Sequence, residues 1–218
     1  MGDVKKVLAI TGTRREASVL RQSGVTAIAI GGSSEALDAA LVGPDVSLAA
    51  LVSFGMCGAL DPGLRLGDWV IGTRVCGRID ADCDLQWTVD LARNLPSARK
   101  GPIYADGRLI GSSQEKQALF SQHGALAADM ESHLVAAAAA RLGIPFAVLR
   151  CISDEAGAEL PPAIAVAMHS DGRLAMGAIL QSILSSPAQL PELMRSTARF
   201  NRAFASLKAG AKLAFSQS

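Results

Sequence analysis

Four short stretches of the chain combine residue types that can do chemistry. "ADMES" places two acids, Asp129 and Glu131, around Met130, just before an alanine-rich run. As structure, Asp129 is a good helix N-cap and Glu131 suits the first helical turn, where the helix dipole favours acids. As chemistry, a carboxylate accepts two hydrogen bonds at once, and a vicinal diol offers two donors at a matching separation. Met130 suits either a sugar face or the core. "RCISDEAG" puts Ser153 and Asp154 directly after an apolar strand. They read as a turn or cap, or as an acid half-buried at a sheet edge, with a raised pKa and a proton to donate. "TGTRRE" carries Gly12, Arg14, Arg15 and Glu16. The arginines can meet an anion or stay solvated, and Glu16 favours a helix start. "SFGMCGALDPGLRLGD" (53–68) is rich in glycine, and Gly55 and Gly58 let backbone approach a ligand closely. It lacks the G-x-G-x-x-G dinucleotide spacing, and an ordinary turn is its equal alternative.

The elements that must position these residues follow from hydrophobic patterning. Strands are expected at 7–12, 27–32, 48–55, 68–77, 103–111 and 145–152, and helices at 14–22 and 33–43, the latter capped by Ser33 or Ser34 and stopped at Gly43–Pro44. A further helix starts at "ADMES" and lies between the last two strands. Alternating apolar strands and helices predict an α/β fold with a sheet covered on both faces. Helical spacing resumes at 172–186, is broken by Pro187, and continues with Leu193, Phe200, Phe204 and Leu207 as a face for packing on the body. No repeat, linker or low-complexity tract interrupts the 218 residues, so one domain is expected, with the region from about 172 to 218 packed on it.

Composition removes several function classes. Lys plus Arg is 21 against 20 Asp plus Glu, a net charge of +1, so no global basic field attracts nucleic acid. Aromatics are 4%, too few for a base-stacking platform. Cys57, Cys76, Cys83 and Cys151 form no C-x-x-C pair, and with three histidines they imply neither zinc nor a disulfide framework. Reduced thiols fit a cytoplasm. The first residues are too short an apolar run for a signal peptide, and no stretch reaches the roughly 20 apolar residues that span a bilayer.

Taken in order and spacing, "SFGMCGALDPGLRLGDWVIGT", "ADMES" before the alanines and "GIPFAVLRCISD" resemble the superfamily of purine nucleoside phosphorylases and methylthioadenosine/S-adenosylhomocysteine nucleosidases, from about residue 7 to 157. "GALAADMESHLVA", "LPPA…DGR" and "PAQLPELM" look closest to its hopanoid-associated phosphorylase branch, thought to remove adenine from adenosylhopane. The resemblance implies a three-layer αβα fold around a twisted mixed sheet. It implies that Glu131 accepts from the ribose 2′- and 3′-hydroxyls, Met130 lies under the ribose, and Asp154, assisted by Ser153, protonates or hydrogen-bonds N7 of the leaving adenine. Gly55 and Gly58 face the sugar and nucleophile. Glu16 matches the water-activating acid of the nucleosidases or a nearby helix residue, since its turn is one residue short. Arg14, Arg15 and Gly12 bind phosphate if the reaction is phosphorolysis. Met56 stands where relatives often have a serine that contacts the nucleophile, and Ser53 where some phosphorylases have an arginine. No aromatic marks a purine stacker, leaving Ser112, Ser113 and Gln114 as base-contacting candidates. No metal or redox cofactor is implied, with inorganic phosphate as a possible co-substrate. The expected partners are a small or lipid-linked nucleoside and further copies of the chain, as a dimer. A lipid-linked substrate implies transient contact with the inner membrane surface and no stable insertion.

Overall fold

The computed structural model of the chain describes residues 6–42, 48–160 and 190–215, with side chains in the last segment from 198. Eight strands form one mixed sheet: β1 (Lys6–Thr11), β2 (Thr26–Ala29), β3 (Leu48–Ala59), β4 (Trp69–Gly77), β5 (Ala81–Asp82), β6 (Arg99–Ala105), β7 (Ala127–Asp129) and β8 (Phe146–Asp154). Six helices accompany them among the described residues: α1 (Arg14–Gln22), α2 (Ser34–Leu41), α3 (Leu85–Asn94), α4 (Ser113–His123), α5 (Ser132–Leu142) and α6 (Leu190–Ala214).

Alternation along the strands separates two cores, because successive side chains point to opposite faces of a sheet. Leu8, Ile10 and Leu51 join Leu37 of α2 and Val135, Ala136 and Ala139 of α5. Ala9, Val52 and Phe54 join Ala17 and Leu20 of α1, Leu91 of α3 and Leu207 and Ala211 of α6. This gives the three-layer αβα arrangement expected from the sequence. Alanines on the buried face of α5 let that helix approach the sheet closely.

The strand order is β2-β1-β3-β7-β6-β4-β5, and β8 pairs with both β3 and β4. The sheet therefore closes on itself through β3, β7, β6, β4 and β8. β1, β2, β3 and β8 run parallel, so their carboxyl ends lie at one edge. Ligands bind beyond such ends in open α/β sheets. β8 carries one irregularity that matters: Cys57 pairs with Ile152 but Gly58 pairs with Asp154. Ser153 is the extra residue of a bulge, which sets Asp154 opposite Gly58. Bulges re-aim side chains in this way beside functional sites.

Several boundaries differ from the expectation. β3 runs on through "GMCGA" because β8 and β7 pair with it there, so the glycine-rich loop begins at Leu60. β8 includes Ser153 and Asp154, which are the end of a strand rather than a turn or cap. β6 lies at 99–105, not 103–111, because Asp106 Oδ1 accepts from Arg108 N at 2.9 Å and Gly107 takes φ +90° in a turn. β2 ends at Ala29, and Gly31 and Gly32 carry the chain into the Ser33 cap of α2. β7 and helices α3 and α4 had no counterpart in the sequence reading. The expected helix at 172–186, Pro187 and the Gly43–Pro44 stop lie outside the described residues, as does the side chain of Leu193.

Candidate active site

The "ADMES" acids do not open a helix as its first turn. Asp129 ends β7, and α5 starts at Ser132 with Glu131 at the N-cap position, where its side chain makes no capping bond. Asp129 does the capping: its Oδ1 accepts from Glu131 N at 2.9 Å and Ser132 N at 2.7 Å. This leaves the Glu131 carboxyl free to point elsewhere. It lies behind Gly12 at the end of β1, where an added Cβ would stand 2.7 Å from Oε1.

Glu16 serves two purposes at once. It closes a capping box on α1, with Oε2 accepting from Thr13 N and Thr13 Oγ1, both at 2.8 Å. Its second oxygen crosses to β3 and accepts from Met56 N at 2.8 Å. A Cβ at Gly55 would lie 2.6 Å from that oxygen and 2.7 Å from Arg150 Nη1. A Cβ at Gly58 would lie 3.0 Å from Asp154 Oδ2. Gly12, Gly55 and Gly58 thus each make room for a carboxyl group.

Two residues that the sequence reading did not single out hold the acids together. Arg150 is fully buried on β8, opposite Gly55. Its Nε lies 2.8 Å from Asp129 Oδ2, its Nη2 donates to Ser53 Oγ at 2.6 Å and to Ser132 Oγ at 3.2 Å, and Nη2 is 3.7 Å from Glu131 Oε2. Its Nη1 has no hydrogen-bond partner among the described residues. Lys116, also fully buried, reaches from α4 to donate to Asp154 Oδ2 at 2.5 Å and to the carbonyls of Glu155 and Ala158 at 3.1 and 3.0 Å. Ser153 Oγ lies 2.7 Å from Asp154 Oδ1 and 3.0 Å from the Cys57 carbonyl. Arg150 had a legible signal: a lone cation inside "PFAVLRCI" must find partners if that strand is buried. Lys116 had none, since "SSQEKQ" reads as a solvated polar run.

Burial pushes the Glu131 carboxyl up to about 8; Arg150 pulls it down, and Asp129 and Glu16 push it further up. Arg150 fails to offset burial because Asp129 sits closer to it than Glu131 does. The neighbouring carboxylates hold the Arg150 guanidinium above its usual range against the cost of burial. Burial also raises the Cys57 thiol well above its ordinary value, which makes it a core residue rather than a nucleophile.

The cluster therefore gathers Glu16, Gly12, Gly55, Gly58, Asp129, Glu131, Ser153 and Asp154, adjoined by the half-buried Met56 and Met130. It does not gather the two arginines of "TGTRRE". Arg14 and Arg15 lie on the exposed side of α1, and the Arg15 guanidinium stacks 4.4 Å over the Phe204 ring. Neither do the base-contacting candidates point freely: Ser112 caps α4, Ser113 N donates to Glu159 Oε1 at 2.9 Å, and Gln114 is exposed. An open groove lined by residues that include Arg74, Arg78 and His123 shares nothing with this cluster. No group of His, Cys, Asp and Glu suited to a metal ion occurs among the described residues.

Residues 88–185 match the family model of the phosphorylase superfamily, a span that includes Lys116, Glu131, Arg150 and Asp154. A putative 5′-methylthioadenosine/S-adenosylhomocysteine nucleosidase from Francisella philomiragia superposes with a TM-score of 0.67 at 15% identity, covering 96% of each chain. The fold is that of this nucleosidase structure. Two further structures share it. The Streptococcus pneumoniae MTA/SAH nucleosidase in complex with 8-aminoadenine gives a TM-score of 0.63 at 18% identity, covering 82% of this chain and 98% of its own. The Helicobacter pylori futalosine hydrolase gives 0.62 at 19%, covering 84% and 98%. No curated protein sequence matches the chain.

Proposed function

We propose that the chain hydrolyses the N-glycosidic bond of a 5′-modified adenine nucleoside. The observation that carries this is the glycine-fronted carboxyl cluster: Glu16 beside Gly55, Glu131 beside Gly12, Asp154 beside Gly58. Gly55 and Gly58 are three residues apart on β3, about 10 Å at strand rise. Acids that flank a scissile glycosidic bond from such a distance leave room for an external nucleophile, whereas a covalent nucleophile needs them about 5 Å apart. Glu131 hydrogen-bonds the ribose hydroxyls and fixes the ring in the site. Asp154 meets the departing base. Glu16 takes a proton from the attacking water, which the unpartnered Nη1 of Arg150 helps orient.

Water suits the nucleophile side better than phosphate. Three carboxyl groups, from Glu16, Asp129 and Glu131, surround a single guanidinium that is already engaged by Asp129 and Ser53. Such a field repels a phosphate dianion. Ser53, where some phosphorylases carry an arginine, is a buried partner of Arg150 and supplies no cation itself. The 5′ substituent is assigned by sequence resemblance as the hopane chain of adenosylhopane. Methylthioadenosine and S-adenosylhomocysteine are the alternatives that the structural neighbours favour.

The test is adenine release from adenosylhopane, methylthioadenosine and S-adenosylhomocysteine, with and without phosphate, followed by mass analysis of the sugar product. Free ribosyl product at a rate independent of phosphate is expected, and Asp154→Asn should lower kcat by about 100-fold or more. Ribose 1-phosphate formed only with phosphate would overturn hydrolysis. Tight nucleoside binding with no base release would overturn catalysis itself.

A further inference from the structure

The buried cation beneath Asp154 has a specific coordination. The Lys116 ammonium has three N–H bonds and three acceptors: Asp154 Oδ2, Glu155 O and Ala158 O. Two of these acceptors are carbonyls that cannot take a proton. The third is a carboxylate that can. The polar turn after β8 wraps the ammonium, and α4, which supplies Lys116, contacts the body chiefly through β6. A charged side chain of four methylenes with no exposure, beside the apolar Leu119 and Phe120 of the same helix, costs desolvation that an apolar residue would avoid. A purely structural tie between α4 and the turn at 155–158 needs only the two carbonyl bonds.

We infer that Lys116 supplies the proton that Asp154 gives to the departing base. The inference rests on the function proposed above. In the resting site the pair is an ammonium and a carboxylate. Lys116 passes one proton to Asp154 Oδ2, the N–H bonding pair staying on nitrogen as a lone pair. The two remaining N–H groups keep their bonds to Glu155 O and Ala158 O, and the lone pair now faces the new carboxylic acid. As the C–N bond breaks, its electron pair goes to the base and is delocalised over the ring. N7 of the base takes the proton from Asp154, which returns to carboxylate. The products are a neutral base, a neutral amine and the carboxylate, and solvent reprotonates the amine once the base has left. The coordination of Lys116 suits both protonation states without moving a heavy atom. Lysine is suited to such a role because it can release a proton when buried, whereas arginine cannot. Lys116 acts through Asp154 and is a positioning residue in this scheme.

The test compares the wild type with Lys116→Met and Lys116→Arg on adenine and 6-chloropurine nucleosides, each carrying the hopane or the methylthio 5′ substituent. The 6-chloropurine anion departs with less need of a proton. Lys116→Met is expected to lower kcat on the adenine substrate by about 100-fold, with KM changed less than about threefold. Its loss on the chloropurine substrate should be at least about tenfold smaller. Lys116→Arg should show the same pattern, since it keeps a cation beside Asp154 but cannot release the proton. The ratio of the two rates within one sample does not depend on the folded fraction, so a destabilised variant still reports. Equal losses on both bases, or wild-type kcat in Lys116→Arg, overturn the inference while the proposed function stands. A wild type that releases neither base overturns the proposed function, and this inference with it.

Discussion

Arg150 is the residue on which most of the site depends. It is fully buried, four residues before Asp154 on β8, and it faces Asp129, Glu131 and Glu16 together. Replacing one buried ion pair as a whole can be harmless, but removing one partner leaves uncompensated charge. Arg150→Met takes away the guanidinium that the described residues place among these acids. We expect it to destabilise the fold by about 3–5 kcal/mol, read as a lower urea midpoint. A midpoint within error of the wild type would mean that the acids take up protons or rearrange at no cost. Ser53 and Ser132 supply the polar lining that lets the guanidinium stay buried, which is a structural use of Ser53 distinct from any anion contact.

At the scale of elements, three glycines govern the approach of helix and strand. Gly12 ends β1, and a methyl group there would lie 2.7 Å from Glu131 Oε1. The neighbour is the end of a side chain, so the carboxyl can swing aside and the fold should tolerate Gly12→Ala. Ribose binding should not: KM should rise at least about tenfold, because Glu131 is displaced from the diol, while the melting temperature shifts by only a few degrees. Unchanged KM in Gly12→Ala would remove Glu131 from the ribose. The elements themselves were legible where patterning was strong. β1, α1 and the apolar part of β8 follow directly from apolar runs and from Glu16 as an acid at a helix start. β7 was not legible, because three residues of "AAD" beside an alanine-rich helix carry helical propensity, and only pairing with β3 and β6 makes them a strand. β3 was read short for a related reason. Its glycines signal a loop in isolation, yet they are where β8 comes alongside and the carboxyl groups of Glu16 and Asp154 need space. The candidate acids were legible by type and position. Arg150 left a trace as a lone cation in an apolar strand, but its partners were not legible, and Lys116 left none, because in a polar run a buried charge shows itself only when the partner's location is known.

At the scale of the whole molecule, the cluster links catalytic chemistry to global stability through pH. Glu131 titrates near 8 in the folded chain against 4.5 for the free side chain, because burial opposes its charge and Asp129 and Glu16 add to that opposition. Between those two values the unfolded chain has lost this proton and the native chain still holds it. Folding is therefore favoured by this group fully below about 4.5, and the contribution disappears as pH rises to about 8. The groups that face it come from three separate elements: Glu16 from α1, Asp129 from β7 and Arg150 from β8. Glutamine at 131 cannot titrate but matches the shape of the protonated acid. Urea midpoints of the wild type and Glu131→Gln, measured at pH 5, 6.5 and 8, should thus diverge in one direction, with the wild type losing ground to the variant as pH rises. The loss of base release in the variant should be greatest near pH 8, where the wild type begins to ionise, because a carboxylate offers the diol two acceptor oxygens and an amide offers one. Parallel stability profiles would show that Glu131 is ionised throughout and that Arg150 compensates it more fully than its 3.7 Å separation implies. A variant that loses stability and activity in equal measure would instead make Glu131 a structural residue of the α5 entrance, and would move the ribose contact elsewhere along the carboxyl edge of the sheet.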